Sequence, residues 1–284
     1  MTRGARVTGS VAQVTTFSGP AAAEAWRRSA ATRSAYMADT TIRLLDIARV
    51  AAGTRVLAVG VGTGGEAFDA AVRVGPDGHV VATDISAEMI AAAEEAVAEA
   101  GLTNVQFRVM DAQRLDFPKA TFDAVISRNT LMFVPDLSLG LAEMKRVLKP
   151  SGRVGATVWS NGAHNPRISG PLAAARALGA RLPESATYRL ALRLSKPGVL
   201  SAALHEAGFT EIDVHRVSLI ARYATIDEAV TQAMEQPGTR ELIGLLGLQS
   251  TLRMRRALER RWVRYVDRGE VNLPGEQLVA AGTA

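Results

Sequence analysis

The sequence predicts an α/β protein with a mostly parallel β-sheet that helices cover on both faces. Short apolar segments alternate with segments of helical periodicity between residues 55 and 159. Glycines follow the first apolar segment, and capping residues bound the helical ones. Strands joined by helices of this length form right-handed βαβ units, which place a parallel sheet between two layers of helices.

Each element of this core has a local signal. Ser86 is an N-cap residue for the helix that follows it, and Gly101 ends that helix. Pro150 and Gly152 end the last helix of the core. The predicted strands are Val56–Val59, Val80–Ala82, Val105–Val109, Phe122–Ser127 and Val154–Trp159. The predicted helices are Glu66–Val74, Ala87–Ala100 and Leu139–Leu148.

The segments on either side of this core are predominantly helical. Residues 20–50 are predicted to form a helix. After Trp159 the pattern loosens, and we expect one domain that continues to the last residue of the sequence. The predicted order is a loop and helix over Asn161–Leu194, a helix over Pro197–Ala207, a strand over Ile212–Tyr223, a helical stretch over Thr225–Arg268 and a strand over Glu276–Ala281.

Composition supports a large apolar core. The 284 residues are 48% hydrophobic and 21% charged, which is typical of a globular protein and not of a disordered one. The chain has no cysteine, which excludes disulfides, thiol nucleophiles and cysteine-ligated metals. No apolar run is long enough to span a membrane, and no signal peptide is evident. We therefore expect a cytoplasmic protein.

The positive charge is concentrated near the end of the chain. Between Arg253 and Arg268, seven arginines stand against two acidic residues, so this segment accounts for the whole net charge of +5. On a helix, Met254, Leu258, Trp262 and Val266 would face the core. The arginine stripe beside them is interpreted as a solvated helix face, in preference to an anion-binding surface.

A glycine-rich loop and two acids predict a nucleotide site. Gly60, Gly62 and Gly65 match the pattern G-x-G-x-x-G between a strand and a helix, where a ligand can approach the backbone closely. Asp84 ends the second strand, where a carboxylate can accept both hydroxyls of a ribose. Asp111 follows the third strand, where it can accept from an adenine amino group. Three successive strand ends therefore converge on one ligand-binding edge.

These segments resemble the class I S-adenosylmethionine-dependent methyltransferases, in particular the small-molecule branch similar to ubiquinone and menaquinone biosynthesis methyltransferases. The resemblance covers about residues 36–160 and lies in the stretches Val56–Gly65, Val80–Ser86, Met110–Phe117, Phe122–Asp136 and Leu148–Trp159. It implies a Rossmann-like, doubly wound, seven-stranded sheet whose last strand is antiparallel.

The same resemblance implies which residues bind the cofactor, S-adenosylmethionine. Gly60, Gly62 and Gly64 would line its methionine end, Asp84 and Ile85 its ribose, Asp111 and Ala112 its adenine, and Arg128 and Asn129 would flank it. One position departs from the family pattern, because Ala58 stands where members usually carry an Asp or Glu that helps to hold the methionine ammonium group. Weaker or altered cofactor binding is the expected consequence.

The acceptor side is less specified. His164 is the candidate general base, since it follows a strand on the ligand-binding edge, but a capping role fits it equally well. Tyr36, Met132 and Trp159 are candidates for an apolar acceptor pocket, or for core residues. We expect residues 1–50 to form an N-terminal helical lid, residues 51–160 the cofactor-binding core, and residues 161–284 the rest of the same domain, with helical acceptor-side insertions and closing strands.

The predicted function is methyl transfer from S-adenosylmethionine to a small-molecule acceptor in secondary or quinone-like metabolism. The main alternative is a methyltransferase-like protein that binds the cofactor without methylating, as a cyclase or partner subunit, which Ala58 motivates. A nicotinamide-dependent dehydrogenase is a further alternative, although no tyrosine has a lysine four residues later. Nucleic acid is not an expected partner, because Arg128-Asn129-Thr130-Leu131 replaces a base-flipping tetrapeptide. The sequence predicts no oligomeric state.

Overall fold

A computed structural model describes residues 19–284, so the first part of the predicted lid, residues 1–18, lies outside the described residues. Its sheet contains the strands Arg55–Val59 (β1), His79–Asp84 (β2), Val105–Val109 (β3), Phe122–Arg128 (β4), Leu148–Trp159 (β5), Thr210–Tyr223 (β6), Val266–Asp267 (β7) and Glu270–Thr283 (β8). The strand order is β3-β2-β1-β4-β5-β8-β6, with β7 beside β8.

The sheet has the predicted architecture with one addition. Strands β1 to β5 pair in parallel, and β8 is antiparallel to both β5 and β6. This confirms the doubly wound, Rossmann-like sheet with an antiparallel last strand. Seven strands form the continuous path, and the two-residue strand β7 adds an eighth among the described residues.

The helices are Pro20–Arg28 (α1), Ala30–Tyr36 (α2), Ala38–Ile47 (α3), Gly65–Val74 (α4), Ala87–Glu99 (α5), Leu137–Val147 (α6), Pro166–Ala177 (α7), Thr187–Ala191 (α8), Val199–Glu206 (α9), Ile226–Glu235 (α10), Pro237–Leu246 (α11) and Thr251–Trp262 (α12). The helical segment predicted over residues 20–50 is confirmed, and breaks at Ser29 and Met37 divide it into three helices. The long helical stretch is also divided, because Pro237 starts a new helix and Gly247, at φ 84°, ends it.

Apolar clusters cover both faces of the sheet. On one face, α3 and α4 pack against β1 and β4 through residues such as Leu44, Ala67 and Ile126. On the other face, α6 and α9 pack through Met144 and Leu204. The central strands β1, β2 and β4 are therefore buried on both faces, which holds their carboxyl ends rigidly.

A third cluster lies beyond the parallel strands. The hairpin of β6 and β8 carries Tyr223 and Leu273 into it, where they pack with α7, α10, α11 and α12. The helices between β6 and β8 thus join the segment after β5 on one side of the molecule, an arrangement that the sequence did not predict.

The arginine-rich helix has the predicted buried stripe except at its end. Met254, Leu258 and Trp262 are buried, but Val266 is 37% exposed. The α-helix stops at Trp262, and a 3₁₀ turn leads into β7, so the four-residue spacing no longer applies to Val266. Within the described residues, no helix is long and apolar enough to cross a membrane.

Candidate functional site

The glycine loop after β1 has room for a ligand at one position. Gly60, Gly62 and Gly64 all have positive φ angles. A Cβ at Gly60 would overlap the side chain of Thr130, so close packing alone requires glycine there. A Cβ at Gly62 would meet nothing within 4 Å. The loop is therefore closed around Gly60 and open beside Gly62.

Asp84 holds the glycine loop in place. Its Oδ2 accepts a hydrogen bond of 2.8 Å from the Gly62 amide, and its Oδ1 accepts one of 2.9 Å from the Ser86 amide. Burial raises the pKa of the Asp84 carboxyl, and the amides of Ser86, Gly62 and Ile85 act in the opposite direction. A carboxylate has about four acceptor sites, so these bonds leave capacity for the two hydroxyls of a ribose.

The other predicted cofactor-binding residues of β2 and β3 lie at the same edge. Ile85 directly follows Asp84 and is 50% exposed, an apolar surface beside the carboxylate. Asp111 and Ala112 follow β3, which pairs with β2. Asp111 accepts hydrogen bonds from the backbone amide of Gln113 at 2.9 Å and from its side-chain amide. Asp111 thus forms a turn, and an adenine would share its oxygens with Gln113.

Arg128 belongs to a buried charge cluster. It ends β4 and forms an ion pair of 2.9 Å with Glu66, and both side chains are almost fully buried. Arg128 also donates to Thr41 Oγ1 on α3. Burial raises the pKa of Glu66, while the charges of Arg128 and Arg33 oppose that shift. The sequence did not predict Glu66, since its partner lies on a strand far along the chain.

Arg33 is the second cation of this cluster. It donates to Thr63 Oγ1 of the glycine loop at 2.7 Å, and its guanidinium lies 4.4 Å from the Trp26 ring. Burial and the neighbouring charge of Arg128 lower the pKa of Arg33 to about 10, so it stays charged at neutral pH. Helix α2 is therefore fixed directly over the glycine loop.

Asn129 joins the loop to the acceptor side. It has φ 57° and donates its backbone amide to Thr157 on β5. Its side-chain amide contacts Met37 Sδ at 3.4 Å. The next residue, Thr130, donates to the Gly60 carbonyl at 2.8 Å. The left-handed conformation of Asn129 thus turns the chain between the glycine loop and β5.

Two of the three predicted acceptor residues lie together. The rings of Tyr36 and Trp159 stack at 6.4 Å between centroids with an interplanar angle of 26°. Met132 instead has no exposed surface and packs in the apolar core. The structure therefore brings Tyr36 to the end of β5 and leaves Met132 as a core side chain.

His164 has an acidic partner that the sequence did not predict. Its Nδ1 lies 3.0 Å from Oε1 of Glu276, while the His164 side chain is 52% exposed. Burial acts to raise the pKa of Glu276, but hydrogen bonds from His164 and Ser160 and the nearby charge of Arg216 outweigh it and lower that pKa. A carboxylate that accepts from Nδ1–H leaves Nε2 of a neutral ring as a proton acceptor.

Asn165 fixes this pair. Its side chain accepts from the Glu276 amide at 2.9 Å and donates to the Glu276 carbonyl at 3.0 Å. The turn after β5 is thereby joined to β8, and the contact with Glu276 orients the His164 ring. The arrangement can remove a proton from a hydroxyl group.

Comparisons with known proteins identify the family of the chain. A model of the methyltransferase domain family matches residues 51–198. Nocamycin O-methyltransferase of Saccharothrix syringae is 35% identical over 179 residues, which cover 60% of this chain and 64% of that protein. Demethylmenaquinone methyltransferase of Listeria monocytogenes is 41% identical over 110 residues, or 39% of this chain and 46% of that protein. The chain thus spans less than two thirds of the length of either relative.

Solved structures share the fold. The YcgJ protein of Bacillus subtilis covers 86% of this chain and 97% of its own at a TM-score of 0.59 and 19% identity. The [4+2]-cyclase SpnF covers 86% and 79%, respectively, at a TM-score of 0.54 and 22% identity. At such identities the likeness concerns the fold alone. The family model matches more than half of the chain, and the chain belongs to the methyltransferase domain family.

Proposed function

We propose that the protein transfers a methyl group from S-adenosylmethionine to a small-molecule acceptor. The observation that carries this proposal is the convergence of the open glycine loop, Asp84 and Asp111 on the carboxyl edge of three adjacent strands. Family membership supports the same reaction, and the named relatives are methyltransferases, which favours methylation over a cyclase or partner-subunit role.

The residues present fit the cofactor. The open space at Gly62 admits its methionine end, and the free acceptor sites of Asp84 suit the ribose hydroxyls. Ile85 offers an apolar face to the adenine. The fit therefore depends on backbone and side-chain groups that already stand in position at the edge.

The charge cluster suits the amino-acid end of the cofactor. Arg33 and Arg128 carry two positive charges beside the glycine loop, where Glu66 pairs with Arg128 and the nearby Asp69 also interacts with Arg128. A methionine carboxylate would lie beside the two guanidinium groups, and Glu66 would face the ammonium group. Glu66 thus supplies a buried acid at the site although Ala58 does not.

When bound, the cofactor supplies an electrophilic methyl group on sulfur. The protein's part is to align the acceptor with that methyl group and to exclude water. His164, held by Glu276, accepts the proton of an acceptor hydroxyl through Nε2, which indicates oxygen as the methylated atom. Helices α1 to α3 form the lid, because Arg33 and Tyr36 cover the loop and the end of β5.

The test has two parts. Calorimetry with S-adenosylmethionine measures binding, and a transfer assay with a labelled methyl group and a panel of phenols and hydroxyquinones measures the reaction. Binding together with methylated product is the expected result. Absence of cofactor binding would refute the proposal, and binding of a nicotinamide dinucleotide in its place would favour the dehydrogenase.

A further inference from the structure

Arg167 stands among aromatic rings on the acceptor side without an acidic partner. Its guanidinium carbon lies 4.7 Å from the centroid of the Tyr36 ring, whose far neighbour is Trp159. Tyr188 and Tyr223 belong to the same apolar cluster as Tyr36. Among residues 19–284, Arg167 forms no ion pair with a carboxylate, whereas the more deeply buried Arg128 and Arg153 both have one.

The surrounding phenols do not neutralise this charge. Burial raises the pKa of Tyr36, Tyr188 and Tyr223, and the positive charge of Arg167 only partly opposes that shift at each ring. All three hydroxyls are therefore neutral at pH 7. Arg167 also occupies the first turn of α7, where the helix dipole disfavours a cation. A bound anion would neutralise the charge of Arg167 and would also interact favourably with the N-terminus of α7.

A second polar group, the side-chain amide of Gln277 near Tyr36 and Trp159, lacks hydrogen-bond partners in the described part of the chain. Gln277 is fully buried, and neither end of its carboxamide has a hydrogen-bond partner among the described residues. Gln277 on β8 pairs in register with Trp159 on β5. Its side chain lies on the same face of β8 as Gly275, and the Tyr36 hydroxyl packs against Gly275. Buried amides without partners are rare and indicate a missing ligand or water.

We infer that Arg167 selects acceptors that carry a carboxylate on a planar ring system. This deepens the proposed function and rests on it. A guanidinium binds a carboxylate through two parallel hydrogen bonds, and the rings of Tyr36 and Trp159 supply flat apolar surface for the rest of the molecule. The bound carboxylate is an anchor rather than the methylated group, because pairing with Arg167 lowers its nucleophilicity. His164, three residues before Arg167, faces the reacting hydroxyl.

The probes are 3-hydroxy-2-naphthoate and its neutral analogue 3-hydroxy-2-naphthamide, titrated by calorimetry into protein saturated with S-adenosylhomocysteine. Charged hydrogen bonds of this kind correspond to at least about tenfold in affinity, so the wild type should bind the acid that much more tightly than the amide. Arg167→Gln should abolish the difference by weakening acid binding alone. Arg167→Lys should keep part of it, since lysine retains the charge but not the planar fork.

The control is Arg176→Gln, which removes an exposed arginine from the last turn of the same helix and should bind both probes as the wild type does. The inference is overturned if the wild type does not prefer the acid, including the case in which neither probe binds. It is also overturned if Arg167→Gln weakens both probes equally, which would indicate lost packing against Tyr36. Binding of S-adenosylhomocysteine, measured first, separates these results from a failure of the proposed function.

Discussion

Replacing Arg128 by methionine tests the buried charge cluster beside the glycine loop. The change removes the 2.9 Å ion pair with Glu66 and the hydrogen bond to Thr41, and it leaves the Glu66 carboxylate buried. Removing one partner of a buried pair costs about 3–5 kcal/mol of folding free energy. We therefore expect Arg128→Met to lower the free energy of unfolding by that amount, which corresponds to a fall in Tm of roughly 6–20 °C.

The loss should depend on pH in a defined direction. Burial already raises the pKa of Glu66 above its ordinary value of 4.5, and loss of Arg128 raises it further. A group whose pKa is higher in the folded state penalises folding at pH values above that pKa, and the penalty disappears as the pH falls toward 4.5. The difference in stability between wild type and Arg128→Met should therefore be largest at neutral pH and shrink on acidification.

Urea unfolding and thermal melting between pH 5 and pH 8, roughly the range in which folded proteins are most stable, measure these effects. The double variant Arg128→Met with Glu66→Gln removes the uncompensated charge and should recover most of the lost stability. Glu24→Gln is the control, because Glu24 pairs with Arg27 on the surface, and its Tm should not change. An Arg128→Met protein that melts like the wild type, or a double variant no more stable than the single one, would refute the charge argument.

Four further predictions concern the two ends of the site. Asp84→Ala should weaken S-adenosylmethionine binding by about 1.5–3 kcal/mol in calorimetry, because it removes a charged acceptor; an unchanged Kd would contradict the ribose assignment. His164→Gln should lower kcat by about 10²–10⁴ without changing the Kd of the cofactor, and Glu276→Gln should also lower kcat. Full activity in either variant would contradict the assignment of His164 as the general base. Because the pKa of Glu276 is lowered on folding, its charge stabilises the protein above pH 4.5 and that contribution is lost below it, so Glu276→Gln should flatten the acid side of the stability profile. Gln277→Leu removes an unsatisfied buried amide, so it should raise the free energy of unfolding of the ligand-free protein by about 1–3 kcal/mol at most and raise its Tm; a lower Tm would show that the amide is bonded.

Sequence reasoning predicted the parallel core well because its signals are local. The apolar run before Gly60 and the N-cap Ser86 fix their elements within a few residues, and the Ser86 hydroxyl does accept from the Met89 amide. The breaks at Ser29 and Met37 carry no glycine or proline, so the helix over residues 20–50 could not be divided from sequence alone.

The parts of the site that were missed depend on contacts between distant segments. Glu276 lies 112 residues from His164 in sequence, and only the pairing of β5 with β8 brings them together. Met132 was a candidate for the acceptor pocket because it follows the carboxyl end of β4. Its side chain is instead buried in the core. Strand ends can be located from sequence, whereas the direction of a side chain after the strand ends depends on tertiary packing.

The position of the buried acid bears on whether the protein methylates. Ala58 is fully buried, and the alternation of β1 places it on the face that α4 covers, with Ile126 beside it in register. Glu66 lies in the first turn of α4, and Arg128 lies two residues after Ile126 on the same face of β4. The ion pair between them therefore places the Glu66 carboxylate between α4 and this face of the sheet. Under the proposed function, Glu66 takes the place of the acid that the strand lacks. A non-methylating role was an alternative because Ala58 lacks an acid, and a Glu66 carboxylate that faces the ammonium group would remove that reason.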